Sequence, residues 1–375
     1  MTVMTVLSGP AVRLSPPSPA SPSPASPSPS RRGRALRLAS AVVGAALLAT
    51  GCNAAAKDEG ADGKEGGGKE FTLVTPDPVA QNEFLKLAVS GVKAAAKKQG
   101  GSQKVFQSSD TNSRQQNVQS AVDSAPDVVV LVGFEFADLV AQQAEAHPKQ
   151  QFLLVDACTK KTYKNVTCAV FREHEAVFLA GAEAGLLSES RKVGAVDVLD
   201  TPQFRRYSEP FAAGAKKVRA GTSARTLFVG GQSPFNDAAR AKDQAATLAS
   251  GGADQVMAAA AGGNTGVFQA AKAKGFQAYG VDANQCLTAP GVVVDNVLKK
   301  TDVAVEKGVA QILAGKGGST VSYGLKEGGM SLTGLEPGLG GSKCLIADHG
   351  DVLKRVKGLR DDIVAGKLKV DDPAA

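Results

Sequence analysis

Two apolar runs of the sequence end in an aspartate, and these two carboxylates are the groups best placed to do chemistry. The run Phe152–Asp156 (FLLVD) stops at Asp156, and the run Gln277–Asp282 (QAYGVD) stops at Asp282. Short apolar runs of this kind predict buried parallel strands, and ligands bind outside the carboxyl ends of such strands. A carboxylate there accepts hydrogen bonds from hydroxyl or N–H groups. The pattern therefore predicts a ligand site that contains Asp156 and Asp282.

A catalytic use of these residues is the alternative. Asp156, Asp282 and Lys299 could exchange protons as an acid–base set. The sequence, however, has no GxGxxG after its first strand, no GxxxxGK[ST] and no GxSxG, the motifs of three common enzyme classes. It also has only three histidines and no CxxC, so a structural zinc site is not expected. We therefore expect a binding protein with no catalytic residues, cofactor or metal.

Strand and helix patterns alternate from residue 71 to residue 365. The apolar run Phe71–Thr75, for example, is followed by Gln81–Lys98, whose apolar residues recur at helical spacing. Such alternation predicts an α/β fold with doubly wound parallel sheets, and two series of units predict two lobes with a hinge between them. We assign residues 71–171 plus about 284–325 to lobe one and residues 172–283 plus about 326–375 to lobe two.

The N-terminal segment predicts export and anchoring. We expect residues 1–51 to be a signal peptide with a low-complexity start, because the basic segment Arg31–Arg37 precedes the apolar stretch Leu38–Ala49. That stretch has signal-peptide length and is too short to span a bilayer. It runs into LLATGC, which resembles a bacterial lipobox, so we expect lipid attachment at Cys52; an ordinary secretory signal is the alternative. Residues 52–70 are rich in glycine and charge and predict a flexible tether.

The charge distribution gives no reason to expect a nucleic-acid partner. The formal net charge is +7, but five arginines and no acid lie in residues 1–51, so the remainder carries only +2. A nucleic-acid-binding domain would need a concentrated basic face. We expect a monomer at the cell membrane, on the extracytoplasmic face and attached by its lipid anchor only.

Four cysteines follow Cys52. An even number outside the cytoplasm suggests disulfides, although the sequence does not fix the pairing. A bond between Cys158 and Cys168 would close one loop between two strand-like runs. A bond between Cys286 and Cys344 would pin the late segment to the strand that ends at Asp282. Buried free thiols are the alternative.

Several short segments, in the same order, resemble the basic membrane protein family of bacterial lipoproteins. This family contains the purine-nucleoside receptors of ABC importers, so the resemblance implies a periplasmic-binding-protein-like (type I) fold. It extends from about Asp110 to Gly334. The segments that carry it are Val132–Asp138, Phe152–Asp156, Phe178–Gly181, Lys192–Val196, Phe211–Gly214, Phe235–Asp237, Gly263–Phe268, Gly280–Asp282, Val297–Asp302 and Leu325–Gly329.

The resemblance implies roles for individual residues. Asp282, the acid of the family's GVD motif, would accept hydrogen bonds from ribose hydroxyls, and Lys299, with Lys300 as an alternative, would donate to the same sugar. Asp156 would read the edge of the base, and Phe235 would stack on its face. A nucleoside suits these roles, because it offers a diol to a carboxylate and a flat ring to a phenyl group.

The first loop departs from the family pattern. It keeps Asp77, Asn82 and Phe84, but the spacing differs and Gln81 stands where the family has phenylalanine. The resemblance makes Asp77 a ligand-binding residue, Asn82 a partner of the base edge and Phe84 a second stacking ring. Tyr207, where the family has phenylalanine, would add a hydroxyl to the pocket.

Together, the residues and the resemblance predict a lipid-anchored solute-binding protein of an ABC importer. Its lobes would close on a nucleoside, with a purine base favoured, and present it to the permease and ATPase subunits. The alternatives are a sensory or regulatory receptor of the same fold, a receptor for another polyol or sugar, and a nucleoside hydrolase.

Overall fold

A computed structural model describes residues 68–375, which form two six-stranded sheets. The predicted Cys52 anchor, the signal peptide and nearly all of the tether lie outside these residues. The first lobe begins the described chain. Its elements are β1 (Glu70–Thr75), α1 (Glu83–Lys98), β2 (Ser102–Gln107), α2 (Thr111–Asp123), β3 (Val128–Val132), α3 (Ala137–Ala146), β4 (Phe152–Val155) and β5 (Val166–Phe171).

The second lobe follows, and the chain then returns to each lobe in turn. The second-lobe elements are α4 (Glu173–Leu187), β6 (Lys192–Asp197), α5 (Pro202–Arg205), α6 (Glu209–Val218), β7 (Ser223–Phe228), α7 (Ala238–Ser250), β8 (Gln255–Ala259), α8 (Asn264–Lys274), β9 (Gln277–Asp282) and β10 (Val293–Lys299). The remaining elements are α9 (Thr301–Leu313), β11 (Thr320–Tyr323), β12 (Met330–Leu332) and α10 (Gly350–Val364).

Both sheets are almost entirely parallel. The first has the order β2-β1-β3-β4-β5-β11, and the second has the order β7-β6-β8-β9-β10-β12, in which only β12 runs antiparallel to its neighbour. The central strand β3 (VVVLV) is buried along its whole length, because helices cover both faces of a doubly wound sheet. This arrangement aligns the carboxyl ends of the strands at one edge of each sheet.

Helices α4 and α6 of the second lobe pack unusually closely. A Cβ atom at Gly181 would lie 2.0 Å from the carbonyl oxygen of Phe211, and one at Gly214 would lie 2.0 Å from that of Phe178. Only glycine permits this backbone approach. The small residues that the sequence places at close spacing in α4 therefore serve packing.

The lobe boundary predicted near residue 284 is wrong. Strand β10 pairs with β9, with Leu298 opposite Asp282, so residues 284–299 belong to the second lobe. The chain leaves that lobe only after Lys299, at the start of α9, which packs on α1 and on the first sheet. Asp282 and Lys299 therefore lie on neighbouring strands of one lobe, whereas the predicted boundary put them in different lobes.

Two other details differ from the sequence prediction. The pattern of the glycine-rich segment 322–341 predicts no strand, but this segment contains the end of β11 and all of β12, which lie at the edges of the two sheets. The pattern over 203–218 predicts a single helix, whereas the structure divides it into α5 and α6. Edge strands are short and depend on pairing with a neighbour, so their own residue patterns are weak signals.

The structure joins Cys158 to Cys168 and Cys286 to Cys344. The first bond links the loop after β4 to β5, and the second ties the loop after β9 to the segment before α10. The second bond encloses the longer loop, with a sequence separation of 58 against 10. A longer loop loses more entropy in the unfolded chain when it is closed.

Removing the two disulfides should therefore have unequal effects. We expect the double variant Cys286→Ser/Cys344→Ser to lose about 4 kcal/mol of unfolding free energy and Cys158→Ser/Cys168→Ser about 3 kcal/mol. Urea unfolding of the two variants beside the wild-type protein checks the order. A larger loss from the short loop would contradict it.

None of the helices in residues 68–375 combines the length and apolar character needed to cross a membrane.

Candidate functional site

A cleft between the carboxyl ends of the two sheets contains every ligand-binding residue predicted from the sequence. The space between its walls amounts to about 620 Å³, a volume that includes open solvent. The predicted residues in its lining are Asp77, Asn82, Phe84, Asp156, Tyr207, Phe235, Asp282 and Lys299. The first four come from the first lobe and the others from the second, so the cleft depends on both lobes.

Asp156 and Asp282 occupy equivalent positions in the two lobes. Asp156 directly follows β4, and Asp282 is the last residue of β9. Both have a left-handed backbone conformation, with φ of 68° at Asp156 and 70° at Asp282. Aspartate is among the few residues other than glycine that tolerate this conformation. Strained backbone of this kind concentrates at functional sites, and here it lies where the two strands reach the cleft.

Lys299 joins the two lobes beneath the cleft. Its Nζ lies 2.6 Å from Asp156 Oδ1 and 2.8 Å from Glu173 Oε1, and it is 3.5 Å from the Tyr207 hydroxyl. The lysine is only 3% exposed. Because Asp156 belongs to the first lobe and Lys299 to the second, this buried ion pair connects them across the hinge.

The ion pair continues to the C-terminal segment. Glu173 Oε2 lies 3.4 Å from Arg206, and the Arg206 guanidinium makes two hydrogen bonds with Asp372, at 2.6 and 2.7 Å. A bidentate arginine–carboxylate pair holds both groups in fixed orientation. The buried Glu173 carboxylate is therefore stabilised from two sides.

Two aromatic rings flank the ammonium group of Lys299. Its Nζ lies 4.9 Å from the ring centroids of both Phe84 and Phe171. A cation at this distance from an aromatic face is attracted to it. Phe84 thus lines the cleft, as predicted, and contacts the lysine as well.

The Asp282 carboxylate has no hydrogen-bond donor from any side chain or backbone group in the described part of the chain. Burial raises its pKa to about 7, although Lys299 lowers the pKa in part. Burial likewise raises the pKa of Asp156 to about 6, against the lowering effect of Lys299. Asp282 is thus a buried acceptor whose donors must come from a ligand or from solvent.

These pKa values predict how stability depends on pH. The pKa of Asp282 is 3.8 in the unfolded chain and about 7 in the folded protein. Between pH 3.8 and about pH 7, the folded state therefore binds more protons at this residue than the unfolded state does. The folded state therefore loses stability as pH rises through that window. We expect the ligand-free protein to have a higher unfolding free energy near pH 5 than near pH 8, and Asp282→Asn to reduce the difference. Urea unfolding at both pH values tests this, and an identical pH dependence in variant and wild type would show that Asp282 titrates normally.

Three phenyl rings form a cluster at the cleft. The ring centroids of Phe134 and Phe204 are 5.8 Å apart, those of Phe204 and Phe235 are 5.6 Å apart, and those of Phe134 and Phe235 are 6.4 Å apart. Phe134 belongs to the first lobe, and the other two belong to the second. Phe134 remains 38% exposed, so a flat apolar surface is available to a ligand.

The loop after β1 is held by Arg114. The Arg114 Nε donates to the Pro76 carbonyl at 2.9 Å, and its Nη2 lies 3.5 Å from Asp77 Oδ1. Burial raises the pKa of Asp77, and Arg114 partly offsets this. Asn82 caps α1, since its Oδ1 accepts from Leu85 N at 3.3 Å, which leaves its amide donors for other partners.

Sequence reasoning missed four residues of this region as functional groups. Phe134, Glu135 and Phe204 line the cleft, and Glu173 pairs with Lys299. Phe134 and Glu135 follow the end of β3 after Gly133, so the position at a strand end that selected Asp156 could also have selected them. The sequence held no comparable signal for Glu173, because its partner is 126 residues away.

No group of histidine, cysteine, aspartate and glutamate side chains within residues 68–375 is arranged to hold a metal ion.

Comparisons with known proteins agree with this architecture. The family model "Bmp: ABC transporter substrate-binding protein PnrA-like" matches residues 69–343. The chain is 28% identical to the ABC transporter nucleoside-binding protein BmpA of Lactococcus lactis subsp. cremoris (strain MG1363), over 80% of this chain and 88% of that protein.

Two solved structures illustrate the fold. A solute-binding protein of an ABC transporter system from Aeropyrum pernix K1 is similar at a TM-score of 0.71 and 25% identity, over 82% of this chain and 94% of that one. A transcriptional activator of the comK gene from Bacillus halodurans has a TM-score of 0.65 at 18% identity, over 80% and 99%, and so shares the fold. The predicted type I periplasmic-binding-protein-like α/β fold is confirmed. Because the family model matches well over half of its length, the chain belongs to the PnrA-like (Bmp) family of ABC transporter substrate-binding proteins.

Proposed function

We propose that this substrate-binding protein binds a nucleoside in the cleft between its lobes. The observation that carries the proposal is the combination of an unpartnered buried carboxylate, Asp282, with a cluster of three phenyl rings. A nucleoside supplies what both features need, since its ribose diol donates hydrogen bonds to a carboxylate and its base stacks on an aromatic ring. The nucleoside-binding relative from Lactococcus lactis supports the same ligand class.

The electrostatics of the cleft favour an uncharged ligand. Asp77, Glu135, Asp156 and Asp282 all line it, whereas the cation Lys299 is already paired with carboxylates. A phosphate group would therefore meet the carboxyl groups of Asp282 and Glu135, which form no ion pair within residues 68–375, and like charges close together are unfavourable. The proposed ligand is a nucleoside rather than a nucleotide.

Within this proposal, each residue has a distinct role. Asp282 accepts from the ribose hydroxyls, and Phe235 stacks on the base. Lys299 lies at the end of the cleft that would hold the sugar, and it joins the lobes through its ion pair with Asp156. Closure around the ligand and formation of this buried ion pair are therefore coupled. Asn82 and Tyr207 supply further hydrogen-bonding groups to the cleft wall.

The proposed setting is the outer face of the cell membrane, with a lipid on Cys52 and with the permease and ATPase of an ABC importer as partners. Mass spectrometry of the membrane-extracted protein tests the anchor. A diacylglycerol adduct on Cys52, and release of a Cys52→Ala variant from the membrane fraction, are the expected results. An unmodified Cys52 in protein that stays on the membrane would contradict this part of the proposal.

A thermal-shift screen of the purified protein against nucleosides, free bases, sugars and nucleotides tests the ligand class. A nucleoside at a hundred times its dissociation constant should add about 2.7 kcal/mol of stability. We expect shifts with nucleosides and none with the matching 5′-monophosphates, and the bound nucleoside should be recovered intact. A shift with sugars alone would overturn the nucleoside assignment.

A further inference from the structure

Glu135 is an acid of the cleft wall with an unpartnered carboxylate oxygen. Its Oε2 is shielded from solvent and accepts no hydrogen bond from any group in residues 68–375. The carboxyl group lies over Gly133, whose φ is 114°, and a Cβ atom there would be 2.5 Å from Oε2. The backbone is therefore shaped to leave room for this carboxyl group, which makes its unsatisfied oxygen a built feature of the site.

The other acids of the first lobe that line the cleft are already engaged. Asp156 pairs with Lys299 at 2.6 Å, and Asp77 pairs with Arg114 at 3.5 Å. Arg114 in turn also donates to the Pro76 carbonyl. Burying an acid without a full set of partners is unfavourable unless something else supplies donors, and burial raises the pKa of Glu135 to about 7. A ligand is the remaining source of donors on this side of the cleft.

The position of Glu135 relates it to the base of a nucleoside. It directly follows Phe134, the first-lobe member of the phenyl cluster, and it lies in the opposite lobe from Asp282. With the ribose at Asp282 and the base stacked on Phe235, as proposed above, Glu135 is the carboxyl group of the opposite wall of the cleft that an edge of the base can meet. The terminal torsion of a glutamate is broad, so either oxygen can face that edge.

We propose that Glu135 selects the base, and that the preferred ligand is a 6-oxopurine nucleoside with guanosine ahead of adenosine. A carboxylate accepts two parallel N–H bonds, and guanine offers N1–H beside its 2-amino group. Hypoxanthine offers only N1–H. Adenine places the N1 lone pair beside its amino group, and that lone pair repels an ionised carboxylate. This inference rests on the proposed nucleoside-binding function and adds the identity of the base.

Calorimetric titration of guanosine, inosine and adenosine into wild type and Glu135→Gln tests the inference. Because the neutral amide of glutamine cannot accept both N–H bonds as a carboxylate does, guanosine affinity should fall roughly 10- to 100-fold and inosine affinity less. Adenosine affinity should stay the same or rise, because the ionised carboxylate that repels its N1 is gone. The ratio of guanosine to adenosine affinity is the decisive number, because any general loosening of the fold cancels in it. The matched control is Asp138→Asn, which changes an exposed acid at the start of α3. This variant should leave the ratio unchanged.

A second measurement uses the titration of Glu135. In the wild type, the guanosine-to-adenosine affinity ratio should rise between about pH 6 and about pH 8, since only the ionised form disfavours adenine. The ratio should not change with pH in Glu135→Gln. Any contribution of Asp282 cancels, because both nucleosides carry the same ribose.

The outcomes separate this inference from the function on which it rests. If the wild type binds nucleosides but Glu135→Gln weakens all three equally, or none, then Glu135 does not select the base and the nucleoside function stands. If the wild type binds no nucleoside, the proposed function fails and the base assignment fails with it.

Discussion

Asp282→Asn should abolish measurable nucleoside binding while leaving the fold intact. The substitution keeps the size of the side chain but replaces the charged acceptor of two hydroxyl groups with an amide. Each hydrogen bond to a charged group contributes about 1.5–3 kcal/mol, so the loss of two would weaken binding by roughly 100-fold to more than 10,000-fold. Because Asp282 is buried without a hydrogen-bond partner in the described residues and its pKa is raised to about 7, the amide should not lower the unfolding free energy near pH 8. Calorimetry with guanosine and inosine, together with urea unfolding, measures both effects.

Asp243→Asn provides the matched control. Asp243 lies in the same lobe, on the exposed face of α7, and the same chemical change there should alter neither affinity nor stability by more than about 0.5 kcal/mol. Wild-type affinity in Asp282→Asn would remove Asp282 from the site. A large loss of stability in that variant would instead show that the carboxylate has a structural partner.

Lys299→Met should destabilise the protein strongly. The methionine fills a similar volume, but Asp156 loses its 2.6 Å ion pair and Glu173 loses its 2.8 Å ion pair. Removing one partner from a buried ion pair costs about 3–5 kcal/mol, because it leaves a buried charge uncompensated. Glu173 keeps its contact with Arg206, so the larger share of the cost falls on Asp156. The unfolding free energy from urea titration gives the size of the effect.

Lys300→Met is the matched control for Lys299→Met. Lys300 pairs with Glu336 at 2.9 Å, and both side chains are about one-third exposed. An exposed ion pair contributes at most about 1 kcal/mol, so Lys300→Met should have a small effect. Equal losses from the two variants would mean that burial does not distinguish the two ion pairs, and a negligible loss from Lys299→Met would contradict its role in joining the lobes.

Much of the architecture could be predicted from the sequence, because it depends on short-range patterns. Buried parallel strands appear as apolar runs, and helices appear as residues at helical spacing, so the alternation already indicates doubly wound sheets. The carboxyl ends of parallel strands meet at one edge, which is why the residue pattern alone assigns Asp156 and Asp282 to one cleft. The resemblance to the family added the remaining predicted residues, from Asp77 to Lys299, and the structure brings all eight into the same cleft.

Only the tertiary structure could show which lobe each late segment joins. Strand β10 belongs to the second lobe because it pairs with β9, and β11 and β12 exist because they pair with β5 and β10. Pairing between strands is a contact between distant residues and leaves little trace in the pattern of either strand. For this reason the pattern of residues 284–299 predicts the wrong lobe.

The properties of the cleft likewise depend partly on the sequence and partly on the tertiary structure. The sequence by itself determined which side chains are acids, bases and rings, and the positions of Asp156 and Asp282 at the ends of strands predicted that these two face a ligand. The tertiary structure decided which of those charges are already paired: Lys299 with Asp156 and Glu173, and Asp77 with Arg114. It also decided that Asp282 and Glu135 have no such ion pair in the described chain. Whether a buried carboxylate is available to a ligand depends on its neighbours in space, because the energy of a charge is set by burial and by the groups within a few ångströms of it.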